Sequence, residues 1–286
     1  MTGARGPLFC GVELGARIEA VETELVTTGS AAARTRLGDT AGFTLPVGGG
    51  IASFAEANSP LNKVAGLGFG GVPSDDEFEA LEKRFAEYGA PVQVELTNLA
   101  DPAIGESLTR RGYLLVSFEN VLGLALDEPP ELVRPDGVQV RPSGDDEFEV
   151  WLDTVAEGFA QPDTEGVPSH EEFPREIIDN AMRDLTAAAG VRRYVAVHEG
   201  RVAGAASLRM SHGIAQLTGA ATRPAHRRRG IQSALLSARL RLAAEAGCDI
   251  AVITTQPGSK SQQNAQRRGF SLLYTRAVLV KDSASR

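Results

Sequence analysis

Four arginines fall within seven residues, Arg223, Arg227, Arg228 and Arg229, and Gly230 follows them just before an apolar-periodic stretch opening at Ile231. The first turn of a helix leaves backbone N–H groups without intrahelical partners and carries partial positive charge. A glycine at its entry lets a ligand approach the backbone with no side chain in the way. Together these features suit a phosphate or diphosphate group. The segment Leu217-Thr-Gly-Ala-Ala-Thr222 reads as the strand that feeds the loop, and Gly219 within it suits a bulge or a close approach. A solvated basic loop ahead of a helix is the plain alternative. The strand leading in and the apolar helix leading out favour the diphosphate reading.

Alternating elements must position that loop. Ile231, Leu235, Leu236, Leu240 and Leu242 approximate helical spacing from Ile231 to Ala246, and Gly247 stops the helix. Before it come a strand at Val138–Arg141, a helix from Asp146 to Phe159 and a second helix from Glu172 to Ala188. Arg193–Val197 and Val202–Leu208 flank a hairpin turn, and Ile214–Thr222 is a further strand. A strand at Asp249–Thr254, a short helix at Lys260–Arg268 and a strand at Leu272–Val280 close the chain. This order predicts an α/β (α+β) fold with a mixed sheet and helices on both faces.

Three prolines and several charges between Asp127 and Gly137 mark a seam, so we expect domains at 1–130 and 136–286. The halves resemble each other. Arg110-Arg-Gly-Tyr through Val121-Leu122 matches Arg267-Arg-Gly-Phe through Val278-Leu279 at a constant offset of 157 residues. In each half a helix, Ser74–Tyr88 or Ile231–Ala246, precedes a strand, a short helix and a closing strand. Agreement in element order as well as residues favours duplication.

At the loop the chain resembles the GNAT-type N-acetyltransferase superfamily. The signature Arg/Gln-x-x-Gly-x-Gly/Ala aligns with Arg227, Gly230 and Gln232, the last departing from the usual small residue. Thr222-Arg-Pro224 stands for the Val-x-Pro that precedes the signature, and Gly269-Phe270 for the late Gly-Phe pair. The resemblance covers residues 137–281 and implies two tandem domains of this fold, each a mixed, mostly antiparallel twisted sheet flanked by helices. It implies acetyl-CoA as cosubstrate, entering where the strands at 217–222 and 250–255 splay. Backbone groups of Ala220, Ala221 and Thr222 would pair with the pantetheine arm. The N–H groups of Arg228, Arg229, Gly230, Ile231, Gln232 and Ser233, with Arg227 beside them, would hold the pyrophosphate. Asn264, Ser259 and Ser261 could reach the pantetheine or thioester, although capping and turn formation explain them equally well.

The catalytic groups common in this family do not carry over. The position of its frequent tyrosine acid is Ala265, and the strand before the loop offers no carboxylate. Tyr274 is the nearest tyrosine to replace the acid, although a core role suits it better. Glu157, His170 or ordered water are the candidates for a base. In the N-terminal half the counterpart of the loop runs from Gly68 to Glu77. There Ser74 reads as an N-cap, and Asp75, Asp76 and Glu77 put carboxylates where phosphate would sit. Residues 1–130 therefore read as a degenerate copy.

The net charge of -8 argues against a nucleic-acid partner. Two cysteines, Cys10 and Cys248, lack metal-ligand spacing, so neither a disulfide scaffold nor a metal site is expected, and a cytoplasmic setting is. No apolar run suits a membrane span. The expected function is acetyl-CoA-dependent acetylation of a primary amine of a small molecule by direct acyl transfer. The alternative is a catalytically silent acyl-CoA-binding sensor or partner-binding protein. Between Asp153 and Asp184 nine acidic residues (Asp153, Glu157, Asp163, Glu165, Glu171, Glu172, Glu176, Asp179 and Asp184) stand against Arg175 and Arg183. That region predicts a cationic amine acceptor, with an ordinary solvated helix face as the equal alternative.

Overall fold

The computed structural model describes residues 8–38, 41–160, 173–187 and 190–283. The first elements in chain order are α1 (Val12–Leu37), β1 (Phe43–Val47), β2 (Gly50–Phe54), β3 (Lys63–Ala65), α2 (Asp75–Glu87), β4 (Val92–Thr97), α3 (Pro102–Arg110) and β5 (Leu114–Ala125). The chain continues through β6 (Val138–Pro142), α4 (Phe148–Ala160), α5 (Arg175–Ala187), β7 (Val191–His198), β8 (Arg201–Ser211) and β9 (Ile214–Thr222). It ends with α6 (Ile231–Glu245), β10 (Ile250–Thr255), α7 (Lys260–Arg267) and β11 (Ser271–Lys281). Among the described residues no helix is long and apolar enough to cross a membrane.

The chain packs as two compact units. The described parts of Met1–Leu122, Gly166–Leu185 and Thr254–Arg286 form one, and Gly123–Glu165 with Thr186–Ile253 form the other. They are not contiguous in sequence, unlike the expected domains at 1–130 and 136–286. The reason is strand pairing: β11, near the C-terminus, runs antiparallel to β4 from Arg276↔Thr97 to Lys281↔Val92.

In the first unit the sheet order is β1-β2-β3-β4-β11-β5. The closing strands of the two repeats, β5 and β11, are thus neighbours. A phenylalanine-rich core (Phe43, Phe54, Phe78 and Phe85, with Leu81, Ile104 and Leu108) packs α2 and α3 on this sheet. The sequence reading missed α1. Its apolar face is interrupted by glycine and threonine, and Thr23, Thr27 and Thr28 bond carbonyls one turn back (2.8, 2.7 and 2.9 Å). Hydroxyls satisfied within the helix let it be buried without a clean apolar stripe.

A buried ionic cluster ties α1 to β11. Glu19, 1% exposed, accepts hydrogen bonds from the Tyr274 hydroxyl (2.6 Å) and from Arg276 Nε (2.8 Å). Glu95 and Glu119 lie 3.6 and 3.5 Å from Arg276 Nη1, and Lys63 Nζ is 2.5 Å from Glu95. Burial, then repulsion from Glu95, pushes the Glu119 carboxyl up to about 7. Burial also raises Glu19, against the pull of Arg276 and the Tyr274 hydroxyl.

In the second unit the sheet order is β10-β9-β8-β7-β6, antiparallel except for the parallel pair β9–β10. Ala221, paired with Ala205, points at α4, where a Cβ on Gly158 would meet it. The next residue back, Gly204, lies under Ile231 and Leu235 of α6. Alternation along the strand therefore puts α4 and α6 on opposite faces. Trp151, Leu152 and Val155 fill one side, and Leu235, Leu236 and Leu240 the other.

Removing the Glu19 carboxylate strands Arg276 in the interior. Glu19→Ala is expected to destabilise the first unit by about 3 kcal/mol, the low end for a broken buried pair because two further carboxylates stand nearby. Urea unfolding of the full chain, followed at separate probes in each unit, measures it.

Candidate functional site

The parallel ladder of β10 and β9 holds three pairs, Ile250↔Ile214 to Val252↔Gln216, while β9 runs on to Thr222. From Leu217 onward that edge of β9 pairs with no strand among the described residues. On its other edge the register with β8 shifts: Ser207 faces Thr218 and Ala205 faces Ala221, so Ala206 stands opposite both Gly219 and Ala220. Gly219 has φ +55, a conformation that favours glycine. The strand therefore bends away at the residue where the sequence suggests a bulge.

Two side chains from opposite faces hold the bulge. Trp151 Nε1 of α4 donates to Ala206 O (3.2 Å). From α6, Arg239 Nη1 donates to Ser207 O (2.8 Å) and reaches Thr218 O (3.5 Å), and its Nε donates to Leu235 O (3.2 Å). Arg239 is 1% exposed, its described partners are backbone carbonyls, and burial pushes its guanidinium down to about 10. It stays cationic at neutral pH. Ser207 Oγ completes the lock on Thr218 O (3.0 Å) and Oγ1 (2.7 Å). The sequence reading passed over Trp151, Ser207 and Arg239. An arginine among Leu235, Leu236, Leu240 and Ala243 on the apolar face of a helix was the available signal.

Beyond Thr222 a short 3-10 turn, Pro224–His226, leads into the arginine loop. Arg228 and Gly230 both take positive φ (+63 and +76), a backbone pattern that turns successive N–H groups toward one side. Gly230 is the N-cap of α6 and no side chain caps the helix. A Cβ on Gly230 would come within 2.6 Å of Pro135 Cγ, so close packing as well as φ requires glycine. Arg228 and Arg229 are exposed and form no ion pair among the described residues. Open N–H groups, fixed cations and a free strand edge fit a pyrophosphate with an extended arm.

The corresponding helix of the first unit is closed. Ser74 caps α2 with a full capping box: its Oγ accepts from Glu77 N (3.2 Å), and Glu77 returns to Ser74 N (2.8 Å). Glu77 also accepts from Gly48 N (3.4 Å), and these backbone bonds hold its carboxyl below the usual range. An internal carboxylate occupies the place an anionic ligand would take.

Several expected roles change. Arg223 does not add free charge to the loop: its Nη1 pairs with Glu157 (2.6 Å) and its Nε with Thr154 (3.1 Å). Glu157, the base candidate, is tied to that arginine. Tyr274, the acid candidate, is buried with its hydroxyl committed to Glu19, and burial raises it far above the ordinary tyrosine range. Ser259 caps α7, accepting from Gln262 N (3.2 Å), and Ser261 is exposed. Asn264 is half-buried, and its amide makes no hydrogen bond among the described residues. Ser259, Ser261, Asn264 and Tyr274 all belong to the first unit, whereas Ala220–Thr222 and Arg227–Ser233 belong to the second. Of the acidic stretch, Asp163, Glu165, Glu171 and Glu172 lie outside the described residues, as does His170. Asp184 is buried on Arg36 (2.7 Å), and Asp179 lies 3.7 Å from Arg175. With Glu157, three of the five described carboxylates face arginines.

Residues 153–270 match the model of the acetyltransferase (GNAT) family. Over that segment the chain is similar to the GNAT family. No curated protein matches the sequence. Among solved structures, a GCN5-related N-acetyltransferase from Kribbella flavida superposes with a TM-score of 0.62 at 18% identity, over 89% of this chain and 95% of its own. A tandem GNAT protein from the clavulanic acid biosynthesis pathway gives a TM-score of 0.60 at 14% identity, over 84% and 80%. At these identities the likeness is one of fold, and the fold is that of tandem GNAT domains.

The two helix starts generate one prediction. Ser233 is the third residue of α6, as Glu77 is of α2, so Ser233→Glu would supply the missing internal anion. It should weaken acetyl-CoA binding about tenfold or more by calorimetry, with a melting temperature no lower than the parent's, because an acid in the first turn favours the helix. The bulge generates another. Arg239→Met leaves Ser207 O and Thr218 O without their cationic donor and lets the strand relax. We expect a roughly tenfold to hundredfold loss of acetyl-CoA affinity in a chain that still folds, measured by calorimetry beside circular dichroism.

Proposed function

We propose that this chain is an acetyl-CoA-dependent N-acetyltransferase acting on a primary amine of a small molecule, with one working coenzyme site in the second unit. The observation that carries the reading is the contrast between the two helix starts. α6 opens uncapped behind Arg227, Arg228 and Arg229, while α2 closes on its own Glu77. In this reading the N–H groups of Arg228–Ser233 bind the pyrophosphate, and the free edge of Ala220–Thr222 pairs with the pantetheine arm as an added strand.

When bound, acetyl-CoA supplies an acetyl thioester: the amine nitrogen forms the new C–N bond as the C–S bond breaks, and the thiolate leaves. The chain contributes position more than proton transfer. Glu157, held by Arg223, orients the end of β9, and Tyr274 stays in the core. An amine acceptor then loses its proton to water or to a group outside the described residues.

A second reading rests on the same commitments. With Ala265 in the family's acid position and Tyr274 and Glu157 engaged, the fold also suits an acyl-CoA-binding protein that does not turn over. Release of free CoA thiol against a panel of cationic, neutral and anionic amines separates the two. We expect turnover with at least one primary amine and one equivalent of acetyl-CoA bound per chain. Binding without turnover across the panel would favour the silent protein, and two equivalents would show that the first unit is not degenerate.

A further inference from the structure

The coenzyme reading leaves unused a cavity of about 670 Å³ at the outer edge of the second unit's sheet. β6 is the edge strand, and its last pair with β7 is Pro142↔Tyr194. Ser143 N still donates to Arg193 O (3.0 Å), and the chain then leaves for a 3-10 turn at Asp145–Glu147. β7 begins earlier, at Val191, so its first residues stand beyond the end of β6. Pairing sets the faces. Gly204, which lies under α6, pairs with Ala196, and Val140 pairs with Ala196 on its other side. Alternation therefore turns Val140, Pro142, Arg192 and Tyr194 toward α6, whose Ala238 and Leu242 close the cavity. Val140, Ala238 and Leu242 are only half-buried, which gives the cavity an open apolar wall.

Three arginines line it, and two are spent. Arg141 places both terminal nitrogens on Glu147 (2.5 and 2.6 Å). Arg193 pairs with Asp145 (2.5 Å) and lies 4.7 Å from the centre of the Phe148 ring. Arg192 is exposed and forms no ion pair among the described residues, and Ser143 Oγ in the same lining makes no hydrogen bond there. We propose that this cavity binds a small amphipathic monocarboxylate, its apolar body against Val140, Tyr194, Ala238 and Leu242 and its carboxylate on Arg192. The volume is that of a small-molecule site. A guanidinium takes a carboxylate through two parallel N–H bonds. One uncompensated cation matches one negative charge, and Asp145 in the same lining disfavours a dianion such as a phosphate ester. Ala238 and Leu242 lie about 10 and 16 Å along α6 from Ile231, so this site is separate from the arginine loop. The proposal does not rest on acetyl transfer.

The test is calorimetry on the full-length protein with phenylacetate, 4-phenylbutyrate and 4-methylpentanoate, each beside its neutral primary amide, with and without acetyl-CoA. We expect at least one acid to bind at one equivalent per chain, about tenfold or more tighter than its amide, whether or not acetyl-CoA is present. Arg192→Gln, an exposed change that does not threaten folding, should reduce that acid to the affinity of its amide. Leu242→Ser should weaken acid and amide alike, about fivefold or more. No acid saturating below about 5 mM, an acid bound no better than its amide, or an acid held equally well by Arg192→Gln would overturn the proposal. Displacement of the acid by acetyl-CoA would overturn it too, by placing the acid in the coenzyme site.

Discussion

The second unit depends on a buried guanidinium with no carboxylate among its described partners. Arg239 sits under β8 and β9 and spends its donors on backbone carbonyls at the point where their register slips. Burying a lone cation is costly, and the depression of its ionisation shows the cost is present here. What offsets it is a set of backbone carbonyls at the bulge: Ser207 O at 2.8 Å and, more distantly, Thr218 O, which Ser207 Oγ also reaches. An apolar residue in its place would take the guanidinium from Ser207 O, while Thr218 O would keep its bond from Ser207 Oγ. The two features require each other, and the free edge of β9 follows from both. Trp151 closes the other face by bonding the one residue, Ala206, that the bulge leaves opposite two.

The same architecture, met twice in one chain, shows how little sequence separates an open helix start from a closed one. In α2 the N-cap is Ser74 and the third residue Glu77, so the first turn satisfies itself. In α6 the corresponding residues are Gly230 and Ser233, and the turn is left for something else to satisfy. The capping box stabilises its helix by the same bonds a ligand would use, so a helix start of this kind serves stability or binding and not both. Duplication supplies the pair on which those choices can diverge.

Most of the second unit was legible because its signals are local. The strand at 214–222, the glycine at the bulge, the arginine loop and the helix from Ile231 all follow from spacing and residue type. So did the acidic start of α2. Other features are tertiary and leave no local trace. Pairing of β11 with β4 joins residues 92–97 to 276–281, and no periodicity reports which sheet a strand enters. The identity shared by Arg110–Leu122 and Arg267–Leu279 was read as two copies of a closing strand, and they are neighbours in one sheet. Tyr274 and Glu157 were weighed as proton carriers from residue type alone, which cannot reveal a partner 255 residues away in the case of Glu19, or 66 away in the case of Arg223.

That long-range pairing explains why the closed half has to stay. β4 holds β11 by six residue pairs, and the Glu19–Arg276 bond fastens the same strand to α1. A chain lacking the N-terminal segment would leave β11 with a bare edge of unpaired backbone and with Arg276 deprived of Glu19 and Glu95, both losses in the interior. The cost of either is large against the few kcal/mol by which a domain is stable. The first unit's sheet thus supplies the partner for a strand encoded at the far end of the chain, so its fold is needed whatever its own helix start does.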